Sequence, residues 1–528
     1  MRTNREETRP RLRIAVVGTG IAGMAAAWLL ATAHDVTVFE ADRRLGGHCN
    51  TVSIDAGDGT VAVDTGFIVC NPDTYPNLLA LFDHLGVATV PTEMSFAVSI
   101  GDGALEYSGG GLHGLFAQPV NLLRPRFWSM LRDLLRFYRE APGDMANNTL
   151  AGDQTLGEYL DAHGYGRAVR EDHLYPMAGA IWSTPAGQVA TFPARAFVAF
   201  CRNHGLLRVT GRPTWRTVSG GSQRYVARLL APLAGRICAG TPVTAVRRFA
   251  TGVDVTAGGM TSTFDHVVIG AHADQALAML TDPDGDESRL LGRIHYGRNE
   301  TVLHTDPRLM PRRRGVWSSW NYIAPSTDAS GAGRATGPSR AEGRAARDAP
   351  SPTSVGLPPR DPAMGRTTSD PPPYERREER TPTSTPPSSS PTGGKALQIV
   401  NLDRGEYAPP SVTYWMNRLQ RLPTRTNLFV TLNPPFEPHA AHILARMSYE
   451  HPILDAEAVA VQPLLWSLQG RRRTWFCGAW FGAGFHEYAL QAGLAVAEQL
   501  GGVRRPWRVP DESGRIHVGP VPHVGSSG

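Results

Sequence analysis

The apolar and polar positions of RIAVVGTGIAGMAAAWLL, residues 13–30, fall into three blocks: a short apolar run, a glycine-rich break, and a longer alanine-rich run. A short apolar run bounded by turn residues predicts a buried strand, and the longer run predicts a helix. DVTVFE, residues 35–40, has the pattern of a second strand, so residues 12–40 read strand–helix–strand. The same grammar returns near the C-terminus. TWFCGAWFGAGFHEYALQAGLAVAEQL, residues 474–500, gives a short aromatic strand, a glycine-rich turn and an apolar helix. Between them, residues 242–246, 253–256 and 264–270 predict strands and residues 276–280 a helix. GVWSSWNYI (315–323) and SVTYWMNRLQ (411–420) alternate aromatic and polar residues, as neighbouring strands of one sheet do. Residues 112–140 predict an amphipathic helix, with Phe127, Met130, Leu131, Leu134 and Tyr138 on one face and Arg132, Arg136 and Arg139 on the other. The pattern is mixed α/β, without an internal repeat.

One segment breaks this pattern. Pro325 to Lys395 hold 14 of the chain's 42 prolines and a single aromatic residue, Tyr374. So little apolar surface does not offset the entropy of ordering the chain. Residues 325–396 are therefore expected to be a disordered insertion, an overgrown loop between the two aromatic strands, since loop-closure entropy rises slowly with length.

Length and composition narrow the picture. A chain of 528 residues, 41% hydrophobic, is long for one core and predicts two domains. Five scattered cysteines without a CxxC pair argue against a disulfide framework and a structural zinc site. No metal is expected. No charge-free run of eighteen apolar residues appears, and the charged N-terminus lacks a secretory apolar core, so the cytoplasm is the expected compartment. The net charge of +5 comes almost entirely from arginine, because Lys395 is the only lysine. Scattered arginine does not make a nucleic-acid surface, and none is expected.

The first glycine motif carries the chemistry. Gly18 permits a tight turn, Gly20 lets backbone approach a pyrophosphate, and Gly23 lets the helix pack on the strand. Ile21 and Ala22 open the helix, whose free N–H groups and positive dipole end face the phosphates. Glu40 ends the next strand, 22 residues after Gly18, where an acid accepts hydrogen bonds from a ribose hydroxyl. Strand, helix and acid together predict dinucleotide binding.

The residues that follow, EADRRLGGHCNTV and VDTGFIV, resemble the flavin-containing amine oxidoreductase family of amine oxidases, phytoene-type desaturases and protoporphyrinogen oxidases. That family carries E-x-x-x-R-x-G-G-R and then D-x-G, and Glu40, Arg44, Gly46, Gly47, Asp64 and Gly66 fall on those positions. His48 stands where the family usually has arginine. The family closes its flavin site with a C-terminal strand–turn–helix, matched by Gly478-Ala479 and by Gly484 to Ala489. GGHCNTV, DTGFIVCNPDTYPN, SSWNY, TYWMNRLQ and GFHEYALQAG resemble a bacterial subgroup of FAD/NAD-binding oxidoreductases, from which Tyr488-Ala489 departs where Asp-Gly is commoner.

The resemblance implies FAD, held by two helix N-termini, in a Rossmann-like FAD-binding domain interleaved with an α+β substrate-binding domain. It assigns residues 12–95, 215–285 and 440–502 to the FAD domain and residues 96–214, 286–324 and 397–439 to the substrate domain, with flexible tails at 1–11 and 503–528. The implied cofactor contacts are Gly18, Gly20, Ile21, Ala22, Gly23, Glu40, Ala41, Arg44, Gly46, Gly47, His48, Gly66, Phe67, Val243, Gly478, Ala479, Glu487, Tyr488 and Ala489.

Family amine oxidases generally use a lysine, and Lys395 falls in the insertion. Desaturase-type members need little from side chains, because the flavin accepts the hydride. The expected reaction is dehydrogenation of an apolar, lipid-like small molecule, with Trp320, Tyr322, Tyr414, Trp415 and Trp480 as an aromatic slot. His486, Glu487, Tyr414 and Trp415 are the candidate catalytic residues; capping and cofactor contact compete for the first two. Cys49 and Cys477 are candidate flavin anchors, against an inert buried role. Residues 112–140 admit two readings, a core-covering helix or a basic helix lying in a membrane interface. An amine oxidase without the lysine, a redox-neutral double-bond isomerase and a flavin-bearing scaffold remain as alternatives. The electron acceptor is left open.

Overall fold

The first strand, β1 (Arg13–Val17), is almost wholly buried, which is why four of its five residues are aliphatic or alanine. It lies within a parallel sheet completed by β2 (Asp35–Phe39), β3 (Ile237–Cys238), β4 (His266–Ile269) and β5 (Thr474–Phe476), in the order β3-β2-β1-β4-β5. The chain is described as a computed structural model over residues 10–150, 153–324 and 410–520. β1 leads through α1 (Ile21–Leu30) to β2 on one side, while β4 returns on the other. The strand order thus reverses at β1, and ligands bind at the carboxyl ends beside such a point.

Every residue of α1 is buried, and α3 (His486–Gly501) covers it. The two helices approach backbone to backbone. A Cβ on Gly493 would stand 2.1 Å from the Ala22 carbonyl oxygen, and one on Gly501 would stand 2.6 Å from the Leu30 side chain. His34 Nε2 lies 2.9 Å from the Gly501 carbonyl oxygen at the far end of this contact. Glycine at 493 is therefore a packing requirement, and it sets how α3 lies on α1.

A second, seven-stranded sheet orders residues Ile443–Pro452, Tyr296–His304, Phe429–Leu432, Ser411–Trp415, Trp320–Ala324, Phe96–Ile100 and Leu105–Ser108. As the aromatic alternation predicts, Trp320–Ala324 and Ser411–Trp415 pair antiparallel, with Trp320 opposite Tyr414. The 325–396 insertion between them lies outside the described residues. Residues 440–502 do not stay together, because Ile443–Pro452 pairs along Tyr296–His304 in this mixed sheet instead of joining the parallel one.

A helical layer around α2 (Pro125–Ala146) supplies a further core. Phe127, Met130 and Leu134 are buried as expected, and Phe137, Ala141 and Met145 extend that face. No helix among the described residues is long and apolar enough to cross a membrane. The stretch after α3, expected to be a loose tail, is folded through residue 520. Arg505 is buried, donating to Glu498 Oε1 at 2.8 Å and Asn77 Oδ1 at 2.9 Å, and Trp507 stacks on Trp28. A buried guanidinium is stable only when paired in this way, and a tail reading from sequence cannot see the partners.

Gly493→Ala should cost about 1–3 kcal/mol of stability, because a backbone carbonyl cannot yield as a side chain would. Thermal unfolding measures it, with Gly143→Ala as the control, since a Cβ there meets nothing within 4 Å.

Candidate cofactor and substrate cavity

The carboxyl ends of β1 and β4 and the N-termini of α1 and α3 open onto one cavity of about 1170 Å³. At its front, Gly18 turns with φ +93° where a Cβ would meet the Gly270 carbonyl oxygen at 2.8 Å. Gly20, Ile21 and Ala22 line the cavity, and α1 has no side-chain cap at Gly20. Its first N–H groups therefore lack an intrahelical partner and suit an anion, each such helix end contributing about 0.3–1 kcal/mol toward nearby negative charge. Gly20 itself has open space at its missing Cβ. Beside it Glu40 accepts from Thr19 N at 2.7 Å and Thr19 Oγ1 at 2.5 Å, which fixes the carboxylate against the glycine turn. Ala41 and Arg44 continue the wall, and Gly47 and His48 follow. Val243, Pro242 and Thr244 close the end nearest Glu40's strand.

The rear of the cavity is built by the second glycine turn. Gly478, Ala479, Trp480 and Gly484 line it, with His486 and Ala489 from the first turn of α3. α3 also starts without a side-chain cap. Glu487 and Tyr488, expected here, are turned away by helical phase. Residues 486 and 489 share one face, and residues 487 and 488 turn to the other. Glu487 is fully buried and accepts from Asn77 N, Asn77 Nδ2, Leu78 N and Gln491 Nε2 at 2.9–3.1 Å. It ties α3 to the helix Pro76–His84 and does not reach the cavity. Tyr488 packs into the core against Gly482.

Other expected positions divide in the same way. Gly66 and Phe67 line the cavity, whereas Asp64 lies behind it, accepting from Ser222 N and Oγ and from Gln420 Nε2. Burial pushes the Asp64 carboxyl up to about 6 against these hydrogen bonds. Gly23 and Gly46 support the two turns without lining the cavity: a Cβ at Gly23 would meet the Gly18 carbonyl oxygen at 2.1 Å, and Gly46 N donates to Thr19 Oγ1 at 3.1 Å. Trp320, Tyr414 and Trp480 face the cavity. Trp415, next along the strand from Tyr414, points the opposite way, packs on Trp317 and donates to Asn427 Oδ1 at 3.1 Å. Tyr322 is also core.

His486 stacks on Phe67, ring centroids 3.8 Å apart, with Nε2 3.0 Å from Cys49 Sγ and 3.2 Å from Tyr225 Oη. Burial pushes its imidazole down to about 3, so the ring is neutral at physiological pH. Burial likewise raises the Cys49 and Cys477 thiols, and neither cysteine lines the cavity. Their inert reading fits; the flavin-anchor reading does not. His48 keeps an unpartnered buried Nε2 near His451 and Tyr449. Sequence reasoning missed several lining residues, among them Gly270, Ala271 and His272 at the end of β4, and Tyr449 and His451. Gly270, directly after the strand residues Val267–Ile269, is a usable signal for the first group; nothing in the sequence places the second beside His48.

A cavity served by two uncapped helix ends and lined with aromatic residues suits a dinucleotide cofactor. The family model described as flavin containing amine oxidoreductase matches residues 21–335, and the chain belongs to that family. It is an FAD-dependent oxidoreductase. Solved structures share the fold across nearly its whole length. A putrescine oxidase bound to putrescine is 15% identical, with a TM-score of 0.58 over 93% of this chain and 99% of that one. Cyclohexylamine oxidase from Brevibacterium oxydans IH-35A is 15% identical, TM-score 0.57, over 93% and 100%. A CLA-producing fatty acid isomerase from P. acnes is 14% identical, TM-score 0.54, over 91% and 97%. At such identities the likeness is one of fold.

The fit to FAD rests on the glycine cradle and the uncapped helix ends. Gly20→Ala should leave the apoprotein's unfolding temperature within about one degree, because its Cβ enters open space. The methyl group instead occupies room at the helix entrance, so FAD affinity by fluorescence titration should fall at least tenfold.

Proposed function

We propose that the protein dehydrogenates an apolar, lipid-like substrate. FAD, when bound, supplies the hydride acceptor at N5. The observation that carries this reading is the outer part of the cavity, walled by Phe96, Met177, Ile181, Trp182, Phe200 and Leu206. Transfer of apolar surface from water into such a chamber is worth about 25 cal/mol per Å² and needs no specific polar partner. The chain's residues then act by orienting a substrate carbon and excluding water. Trp320 and Tyr414, in T-shaped contact at 5.1 Å, form part of the wall that would do so. No lysine lies among the described residues, which weighs against the usual amine-oxidase arrangement. We assign the parallel-sheet portion to the cofactor and the mixed sheet with its helices to the substrate.

A redox-neutral variant of the same reading, in which the hydride returns to the substrate and a double bond moves, is favoured by the absence of a second dinucleotide fingerprint in the sequence. Anaerobic mixing separates these cases. A saturated or monounsaturated acyl compound should bleach the flavin absorbance if dehydrogenation occurs. Persistent colour with a positional isomer as product marks the isomerase. Bleaching by polyamines alone would overturn both.

Access by way of a bilayer surface fits the exterior of the helical layer. Leu112, Leu122, Leu123, Trp128 and Leu135 are exposed, Leu123 to 83%, and Arg132 and Arg139 stand among them. Trp128 sits over the Leu122 carbonyl, donating to it at 2.9 Å. Apolar side chains interleaved with arginine suit an anionic interface. Sedimentation with phosphatidylglycerol-containing vesicles should exceed that with phosphatidylcholine alone, and Leu123→Ser with Trp128→Ser should abolish the difference.

A further inference from the structure

Among the polar groups lining the outer chamber, which include Tyr138 and His204, two stand out, and the functional reading above uses neither. His173 lines the cavity at 8% exposure, and its Nε2 has no partner. Its Nδ1 lies 2.8 Å from Tyr107 Oη, which in turn donates to the Asp172 carbonyl oxygen at 2.7 Å. A phenol has one proton, and the carbonyl can only accept it. The phenol must therefore accept from Nδ1–H, which fixes the tautomer and leaves a bare lone pair on Nε2. Burial holds this imidazole down at about 4, so it stays neutral in the free protein.

The second group is Arg212, which also lines the cavity and is exposed. Its Nε donates to the Arg208 carbonyl oxygen at 2.7 Å, and no carboxylate among the described residues pairs with it. Its charge lies close enough to disfavour protonation of His173 and to favour ionisation of Tyr138. A guanidinium held at the edge of an apolar chamber lacks the carboxylate that arginines elsewhere in this chain find, as Arg126 finds Asp172 at 2.8 Å. A buried acceptor without a donor is unfavourable, so an occupant that brings a proton to Nε2 relieves it, while the exposed guanidinium adds an unpaired positive charge for an anion to meet.

We propose that the outer chamber binds an apolar carboxylic acid, its carboxyl group held between the Arg212 guanidinium and His173 Nε2 while its chain lies against the aromatic wall. This rests on the apolar-substrate reading and narrows it. A carboxylate from solution takes up one proton as it binds, which it shares between one oxygen and Nε2, while the guanidinium donates to its other oxygen. A long-chain amine lacks the acceptor and meets a like charge; an ester offers Nε2 no donor. Arg212 and His173 are binding and positioning residues in this scheme, and the hydride chemistry is left to the cofactor.

Equilibrium dialysis of the FAD-loaded full chain against dodecanoic acid, methyl dodecanoate and dodecylamine tests it. The acid should bind at least tenfold more tightly than either analogue. Arg212→Gln should remove that preference by weakening the acid alone, and Arg212→Lys should restore part of it. Arg212 is exposed, so these variants fold even if His173→Phe does not. Equal binding of acid and ester, unchanged in Arg212→Gln, would overturn the carboxylate site and leave the apolar reading standing. Failure of all three to bind, with retention of a short diamine, would overturn both.

Discussion

The close approach of α1 to α3 is the constraint from which the site follows. Only because Gly493 lacks a side chain can the second helix lie on the Ala22 carbonyl, and only then do both uncapped N-termini open into one cavity. The arrangement is rigid for a simple reason: both helices are buried along most of their length, and backbone rather than side chain is in contact. Two helix ends more than four hundred residues apart in sequence become two walls of one container, each able to stabilise negative charge at a different end of a long cofactor.

Around that container the protein uses two kinds of surface. Near the glycine turns the groups are backbone N–H, a fixed carboxylate at Glu40 and small residues, which suit a dinucleotide recognised by its phosphates and ribose. Farther out much of the wall becomes aromatic and aliphatic, and some of its polar atoms, His173 Nε2 among them, are buried without partners. Histidines at 48, 173, 451 and 486 are all pushed down by burial and are thus neutral, so the chamber carries less positive charge than its composition implies. The positive charge that remains among its lining residues is that of Arg44, Arg212 and Arg298.

Much of this was legible in the sequence, because the informative features were local. A glycine turn between strand and helix, with an acid at fixed spacing, is a complete physical statement; Gly18, Gly20, Ile21, Ala22 and Glu40 line the cavity, and Gly23 packs behind the turn. What failed was phase and partnership. Glu487 and Tyr488 lie in the matched motif, but a helix turns about 100° per residue, and their neighbours His486 and Ala489 take the cavity-facing positions. Trp415 failed for the equivalent reason in a strand. Arg505 looked like tail because its partners, Asn77 and Glu498, come from separate helices that sequence cannot bring together. His173 and Arg212 carried no motif at all; their meaning lies in which bonds they lack.

Hydrogen–deuterium exchange on adding FAD to the apoprotein tests the shared container most directly. The account predicts that amides at residues 20–23 and at residues 484–489 become protected together, at the same FAD concentration. Protection confined to the first glycine turn, with the second unchanged, would contradict it.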